Sequence, residues 1–248
     1  MDKQKAKILV LVEGPKTEVV LLNHLLNVYC IDRKHEIVPY NTNIYVLYDS
    51  MFRDDDPETL DLLQVLKEHE KDEERKKVFE ERYSDILLIF DLDPQDRLYS
   101  AEKIQQMLEY FNESSENGKL YINYPMVESF YHMKSIPDPN YNSYTVSMQE
   151  LRERTYKSRV QKESWRHDYR KFAQSREECN SVIIQNIEKA LTITNNPVFD
   201  GASPPQASEI IKVQSLKLQH ENCLYVLCTC EFYIFDYNPS LIKAGGMF

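Results

Sequence analysis

Glu13, Asp91 and Asp93 stand where a sequence can do chemistry. The stretch "DILLIFDLDPQD", residues 85–96, runs an apolar tract straight into Asp91 and Asp93, and "AKILVLVEG" ends the same way in Glu13. Apolar runs bounded by polar residues read as strands buried on both faces, with Pro94 already outside the second one. In a parallel sheet the strand C-termini share one edge, and that edge is where open α/β sheets bind ligands. The three carboxylates are therefore expected to converge. Without a cation they would repel one another and hold a proton, whereas a hard, oxygen-seeking ion such as Mg2+ (or Mn2+) relieves the repulsion. Such a set supports metal-assisted phosphoryl transfer. The plainer alternative is a strand that ends in acidic turn residues, where Asp is common.

The elements that must position these groups are legible in part. Gly14 and Pro15 supply a turn, and from Thr17 apolar residues at Val19, Leu22, Leu26 and Tyr29 repeat at helical spacing. "IYVLY", residues 44–48, is expected to form the second strand, followed by a long helix from Pro57 that is apolar at Leu60, Leu63 and Leu66 and then charged. Asp49 and Asp96 read as turn residues. Ser100 can cap a helix carrying Ile104, Met107, Leu108 and Phe111 on one face, and "KLYINYP" reads as a fourth strand. This alternation over residues 7–125 predicts an α/β fold, a largely parallel sheet flanked by helices. Ile183, Ile184, Ile187 and Leu191 fit a further helix, and "NPVFDGASPP" a loop. Residues 208–242 read as two more helices, although "CLYVLCTCEFYIF" is equally readable as a buried strand. The expected division is a catalytic core at 1–135 and a mainly helical C-terminal elaboration at 136–248.

The segments "LVEGPKTE", "IFDLD" and "NYPMVESF" together resemble a Toprim domain, the catalytic fold of topoisomerases, bacterial primases and OLD-type nucleases. They are similar above all to small stand-alone Toprim proteins of anti-phage systems, of the RloB-like and AriB-like kind. Those open on "EGxxTE" and carry a later "NPxFExW"; here "YPMVESF" keeps Pro125 and Glu128 but has Tyr124, Val127 and Phe130 where that pattern has Asn, Phe and Trp. The resemblance implies that Glu13 ligates metal or acts as general base and that Asp91 and Asp93 are the metal-binding pair. It offers Glu18 and Glu128 as further ligands and Lys16 as a substrate contact. Glu18 is equally placed to meet the positive end of a helix dipole, and Glu128 to begin a helix after Pro125.

Net charge and its distribution add a partner. Lys and Arg number 30 against 40 Asp and Glu, a formal −10. Residues 151–176, "LRERTYKSRVQKESWRHDYRKFAQSR", reverse that balance, with Tyr156, Trp165, Tyr169 and Phe172 interleaved. Arg166, Arg170 and Lys171 can neutralise phosphates and Trp165 can stack on an unpaired base, which points to nucleic acid, DNA or a tRNA-like RNA. The alternative is an amphipathic helix with a solvated charged face and aromatics in the core.

Five cysteines, an odd number, fit a reducing compartment. Cys223, Cys228 and Cys230 cluster without paired CxxC spacing or a histidine pair, and read as small core residues rather than a zinc site. The N-terminal apolar run is too short for a signal peptide and "CLYVLCTCEFYIF" too short to span a bilayer, so the expectation is a cytoplasmic protein without membrane contact. No "GxxxxGK[ST]" occurs, so ATP hydrolysis would come from the ABC-type or AAA-type ATPase partner that the resemblance implies. A homo-oligomer stays open. The functional expectation is a metal-dependent nuclease acting as the toxic effector of an anti-phage system. Two alternatives are a non-catalytic Toprim-like adaptor and a metal-dependent phosphatase built around Asp91.

Overall fold

The computed structural model describes residues 7–31, 33–53, 56–196 and 203–243. Strand β1 (Lys7–Val12) leads through helix α1 (Thr17–Val28) to β2 (Lys34–Pro39). Helices α2 (Ile44–Phe52), α3 (Leu62–His69) and α4 (Glu73–Lys76) precede β3 (Asp85–Asp91), and α5 (Ala101–Tyr110) precedes the short β4 (Asn112–Glu113) and β5 (Gly118–Asn123). These strands form one five-stranded sheet in the order β2-β1-β3-β5-β4, parallel except for β4. The architecture is α/β, with a largely parallel sheet flanked by helices.

The second strand lies elsewhere than expected. "IYVLY" belongs to α2, whose Asn43 side chain accepts from the backbone N–H of Val46 at 3.2 Å and whose Ile44, Tyr45 and Leu47 are wholly buried. A short apolar run cannot tell a buried strand from a buried helix, and the Asn cap decides it here. The strand is instead "KHEIVP", on the open edge of the sheet, where one neighbour and partial exposure leave room for Lys34, His35 and Glu36. Asp49 accordingly sits within α2 and pairs with Lys103 at 3.5 Å, not in a turn. The long helix from Pro57 is also broken. Asp61 caps α3 by accepting from Leu63 N–H at 2.8 Å and Gln64 N–H at 3.2 Å, and Asp72 caps α4.

The C-terminal part is mainly helical. It contains β6 (Thr145–Ser147), α6 (Met148–Arg152), α7 (Tyr156–Glu163), α8 (Arg176–Ile193), α9 (Ala207–Glu221), β7 (Cys223–Tyr225), α10 (Phe232–Tyr237) and α11 (Ser240–Lys243). Strands β6 and β7 pair antiparallel, so "CLYVLCTCEFYIF" is neither one helix nor one strand but a short strand, a turn and α10. Part of "NPVFDGASPP", residues 197–202, lies outside the described residues. This half is knitted to the sheet: Tyr124 and Leu227 exchange backbone hydrogen bonds at 2.8 and 2.9 Å, and Tyr29 donates to Asn180 at 2.7 Å.

Candidate active site

From β1 the chain passes to β2 on one side, then returns over β1 to β3 on the other. The gap between the C-terminal ends of β1 and β3 is therefore the topological switch point of the sheet, where flanking loops diverge and leave a crevice. Glu13 and Asp91 occupy it. Glu13 follows the last residue of β1, its N–H donates to Ile89 O at 3.2 Å, and its Oε2 accepts from Asp91 N–H at 3.2 Å. Asp91 Oδ1 accepts from Val127 N–H at 2.8 Å and from Asn123 Nδ2 at 3.3 Å, so the carboxylate is aimed by β5 and by the turn after it.

Asp93 owes its place to a backbone reversal. Its φ of 43° is left-handed, a region Asp tolerates better than most side chains, and Leu92 N–H and Asp93 N–H both donate to Pro125 O. Gln95 Nε2 then holds Asp93 Oδ1 at 2.9 Å. Glu18, in the first turn of α1, folds back over the turn before it: a Cβ on Gly14 would lie 3.2 Å from Glu18 Oε2. A side chain at position 14 would make that carboxylate give way by a few tenths of an ångström. Glu128 is buried after Pro125, with Oε1 2.9 Å from Lys157 Nζ and Oε2 without a partner among the described residues.

Glu13, Lys16, Glu18, Asp91 and Asp93 line one open cleft of about 580 Å³ together with Gln95, Arg154 and Lys157. Burial, then the charges of Asp93 and Glu18, lift the Glu13 carboxyl to about 8. Burial, then Glu13, Asp93, Glu18 and Glu128, push Asp91 well above the usual carboxylate range. Burial likewise raises Asp93 and Glu18. Lys157 is raised as well, because Glu128, Asp91 and Glu18 outweigh the burial that opposes its charge. A cleft in which neighbouring acids all resist ionisation is short of positive charge.

The other basic-segment candidates are placed differently. Trp165, Arg166, Arg170 and Lys171 do not line the cleft. Trp165 is partly buried against the core, with the Arg166 guanidinium over its ring at 5.6 Å, and Arg166 also pairs with Glu178 at 3.1 Å. Arg170 and Lys171 project into solvent near Asp168, with side chains 89% and 68% exposed. Tyr156 and Phe172 are core residues and Tyr169 stacks on Tyr131 at 4.4 Å, so these interleaved aromatics serve packing. Sequence reasoning missed Lys157, Arg154, Asn123 and Gln95. Lys157 and Arg154 lie within the basic segment with nothing local to single them out, whereas Asn123, the last residue of the strand beside Asp91, is the readable signal.

Among the described residues, Cys228, Cys230 and Glu231 place ligand atoms within 4.8 Å of one another, whereas the cleft carboxylates form no such tight group. No helix among the described residues is long and apolar enough to cross a membrane. Comparison with protein-family models, curated proteins and solved structures finds no match to this chain.

Proposed function

We propose that the chain is a metal-dependent nuclease that hydrolyses phosphodiester bonds at the cleft between β1 and β3, on a Toprim-like core at residues 1–135. The observation that carries this reading is the meeting of Glu13 and Asp91 at the switch point, with Asp93, Glu18 and Glu128 around them. The residues fit a hard divalent cation. The donors are carboxylate oxygens, their protons are held abnormally tightly, and the buried Glu128 Oε2 lacks a partner among the described residues. Asp91, Asp93 and Glu13 would hold Mg2+ or Mn2+, with Glu18 and Glu128 as outer candidates. When bound, such an ion supplies a Lewis acid and a water of lowered pKa.

The chain's own groups do the rest. Glu13, lifted to about 8, can hold or release a proton near neutral pH, as a general base or acid requires. Val127 N–H and Asn123 fix the Asp91 carboxylate so that it need not reorganise. Lys16, Arg154 and Lys157 ring the acidic floor and can receive the phosphates that flank the scissile bond. Arg170 and Lys171 stand clear of the cleft and would meet a longer substrate at a distance. The proposed setting is a toxic effector in an anti-phage system, restrained or triggered by an ABC-type or AAA-type ATPase, with DNA or a tRNA-like RNA as substrate.

One observation favours the adaptor reading: Lys157, which lines the cleft, already supplies a cationic partner to Glu128, buried behind the lining. The phosphatase reading is the weaker one, since a nucleophilic Asp91 would have to attack from a buried position with Oδ1 held by two donors. The test is cleavage of end-labelled single-stranded, duplex and tRNA substrates with Mg2+ or Mn2+, beside Glu13→Gln. Cation-dependent products lost in the variant support the nuclease; cation binding and nucleic-acid binding without products favour the adaptor; a phosphorylated Asp91 favours the phosphatase.

A further inference from the structure

Behind the cleft, on the far side of Asn123, the turn between β7 and α10 gathers a second set of ligand-type atoms. Cys228 Sγ and Cys230 Sγ are 3.4 Å apart, and Cys230 Sγ is 3.7 Å from Glu231 Oε2. All three residues are buried, Glu231 completely, and its Oε1 has no hydrogen-bond partner among the described residues. Among the described residues no Lys, Arg or His pairs with Glu231. The Cys228 thiol donates to Asn123 Oδ1 at 3.3 Å and the Cys230 thiol to Glu231 Oε2, so it is the other Glu231 oxygen that stands unpartnered among the described residues, which is costly unless it meets a cation or carries the proton.

The backbone around the set is fixed before any ligand arrives. Cys228 N–H donates to Asn186 Oδ1 at 3.0 Å, Thr229 and Cys230 N–H both donate to Asn123 Oδ1 at 3.3 Å, and the Thr229 hydroxyl donates to Ile122 O at 2.8 Å. With Thr229 turned toward β5, the thiols on either side of it come together. At 3.4 Å the two free thiols share a hydrogen bond or stand ready to share one ion. A disulfide would bring the sulfurs to about 2.05 Å. Two sulfurs on one tetrahedral ion at about 2.3 Å each stand roughly 3.8 Å apart, and a sulfur and a carboxylate oxygen about 3.6 Å apart. The observed spacings lie within a few tenths of an ångström of the second arrangement.

We infer that Cys228, Cys230 and Glu231 form a second metal site, for a thiophilic divalent ion of the Zn2+ class. Two thiolates and one carboxylate select such an ion over Mg2+ or Ca2+. The site is structural. It ties down the turn that orients Asn123, and Asn123 Nδ2 in turn reaches Asp91. The chain would then hold a soft ion behind the sheet edge and a hard ion in front of it, and the first does not depend on the second or on any catalytic role of the cleft. The CxC spacing alone reads as small core cysteines. Glu231, brought in by the start of α10, changes that reading.

The experiment measures zinc by elemental analysis on tag-free protein expressed with added Zn2+, and absorption of the same protein refolded with Co2+. Stoichiometric zinc and a thiolate-to-cobalt charge-transfer band in the near ultraviolet are expected for the wild type and for Glu13→Gln. Both should be lost in Cys228→Ser/Cys230→Ser, and Glu231→Gln should retain the fold while releasing zinc to a chelator at least about 10-fold faster. The double serine variant could fail to fold, and the wild-type cobalt spectrum and Glu231→Gln then decide. Refolded wild type without zinc and without the cobalt band overturns the site, as does zinc that survives in Cys228→Ser/Cys230→Ser.

Discussion

The Oε2 atom of Glu13 accepts a hydrogen bond from the backbone N–H of Asp91 at 3.2 Å, so the acid that follows β1 is latched to the one that ends β3. That contact fixes the spacing of the two groups whatever their protonation. It also puts the Glu13 side chain among Asp93 and Glu18, which with burial lift it to about 8.

Stability should depend on pH in a direction set by that lift. The Glu13 carboxyl rises from an ordinary value of 4.5 to about 8 on folding, so the folded chain binds the proton more tightly than the unfolded one. Its contribution is complete below 4.5 and is lost as pH climbs toward 8. In chelator, the stability of the wild type should fall across this window relative to Glu13→Gln, by a few kcal/mol at most at roughly 1.4 kcal/mol per pH unit, and its melting temperature with it. Saturating Mg2+ should close the gap. No gap in thermal melts would show that Glu13 ionises as it does in the unfolded chain, and a gap of the opposite sign that folding favours its charged form.

Gly14→Ala should displace Glu18 in the cleft without unfolding the protein. The added methyl would lie 3.2 and 3.3 Å from the two Glu18 oxygens and must push that carboxylate away. Calorimetric titration should show Mg2+ binding weakened about 10-fold if Glu18 ligates the ion. Unchanged binding would remove Glu18 from the ligand set.

Lys157→Met leaves Glu128 buried without its ion-pair partner at 2.9 Å. Because the lysine side chain is 62% exposed, the expected loss is only about 1 kcal/mol, or ~2–4 °C in melting temperature. Added Mg2+ should recover it, since Glu128 then finds another cation. A loss that Mg2+ leaves untouched would place Glu128 outside the metal's reach.

The basic segment splits into two kinds of residue. Replacing Arg166, Arg170 and Lys171 by Ala should weaken nucleic-acid binding and flatten its dependence on salt, because fewer counterions are released. Trp165→Ala should lower the melting temperature and weaken every substrate alike, since the ring is partly buried against the core and lies beneath Arg166. A loss confined to single strands, of about 1–3 kcal/mol, would instead make Trp165 a stacking platform. An unchanged salt slope in the triple variant would move substrate contact to Lys16, Arg154 and Lys157.

How much of this was legible in the sequence follows from what each residue depends on. Strands β1 and β3 are buried on both faces, so their sequences are nearly continuous apolar runs and their acidic ends stand out. Ser100 was readable as a cap because its hydroxyl serves its own helix, accepting from Lys103 N–H at 3.2 Å. Strand β2 was hidden because an edge position tolerates Lys34, His35 and Glu36, while a buried helix could use the β-like run at 44–48. The Lys157–Glu128 pair and the reach of Asn123 to Asp91 join residues about thirty positions apart, and no local pattern reports such distances.

The most direct measurement is single-turnover cleavage of labelled nucleic acid as a function of Mg2+, for the wild type and for Asp91→Asn. Asp91→Asn keeps the side chain's shape and removes its charge. Cleavage should rise with Mg2+, disappear in chelator and be abolished in Asp91→Asn, whose melting temperature in chelator should be at least that of the wild type. Equal cleavage by both proteins, or a wild type that neither binds Mg2+ nor cuts any substrate, would contradict it.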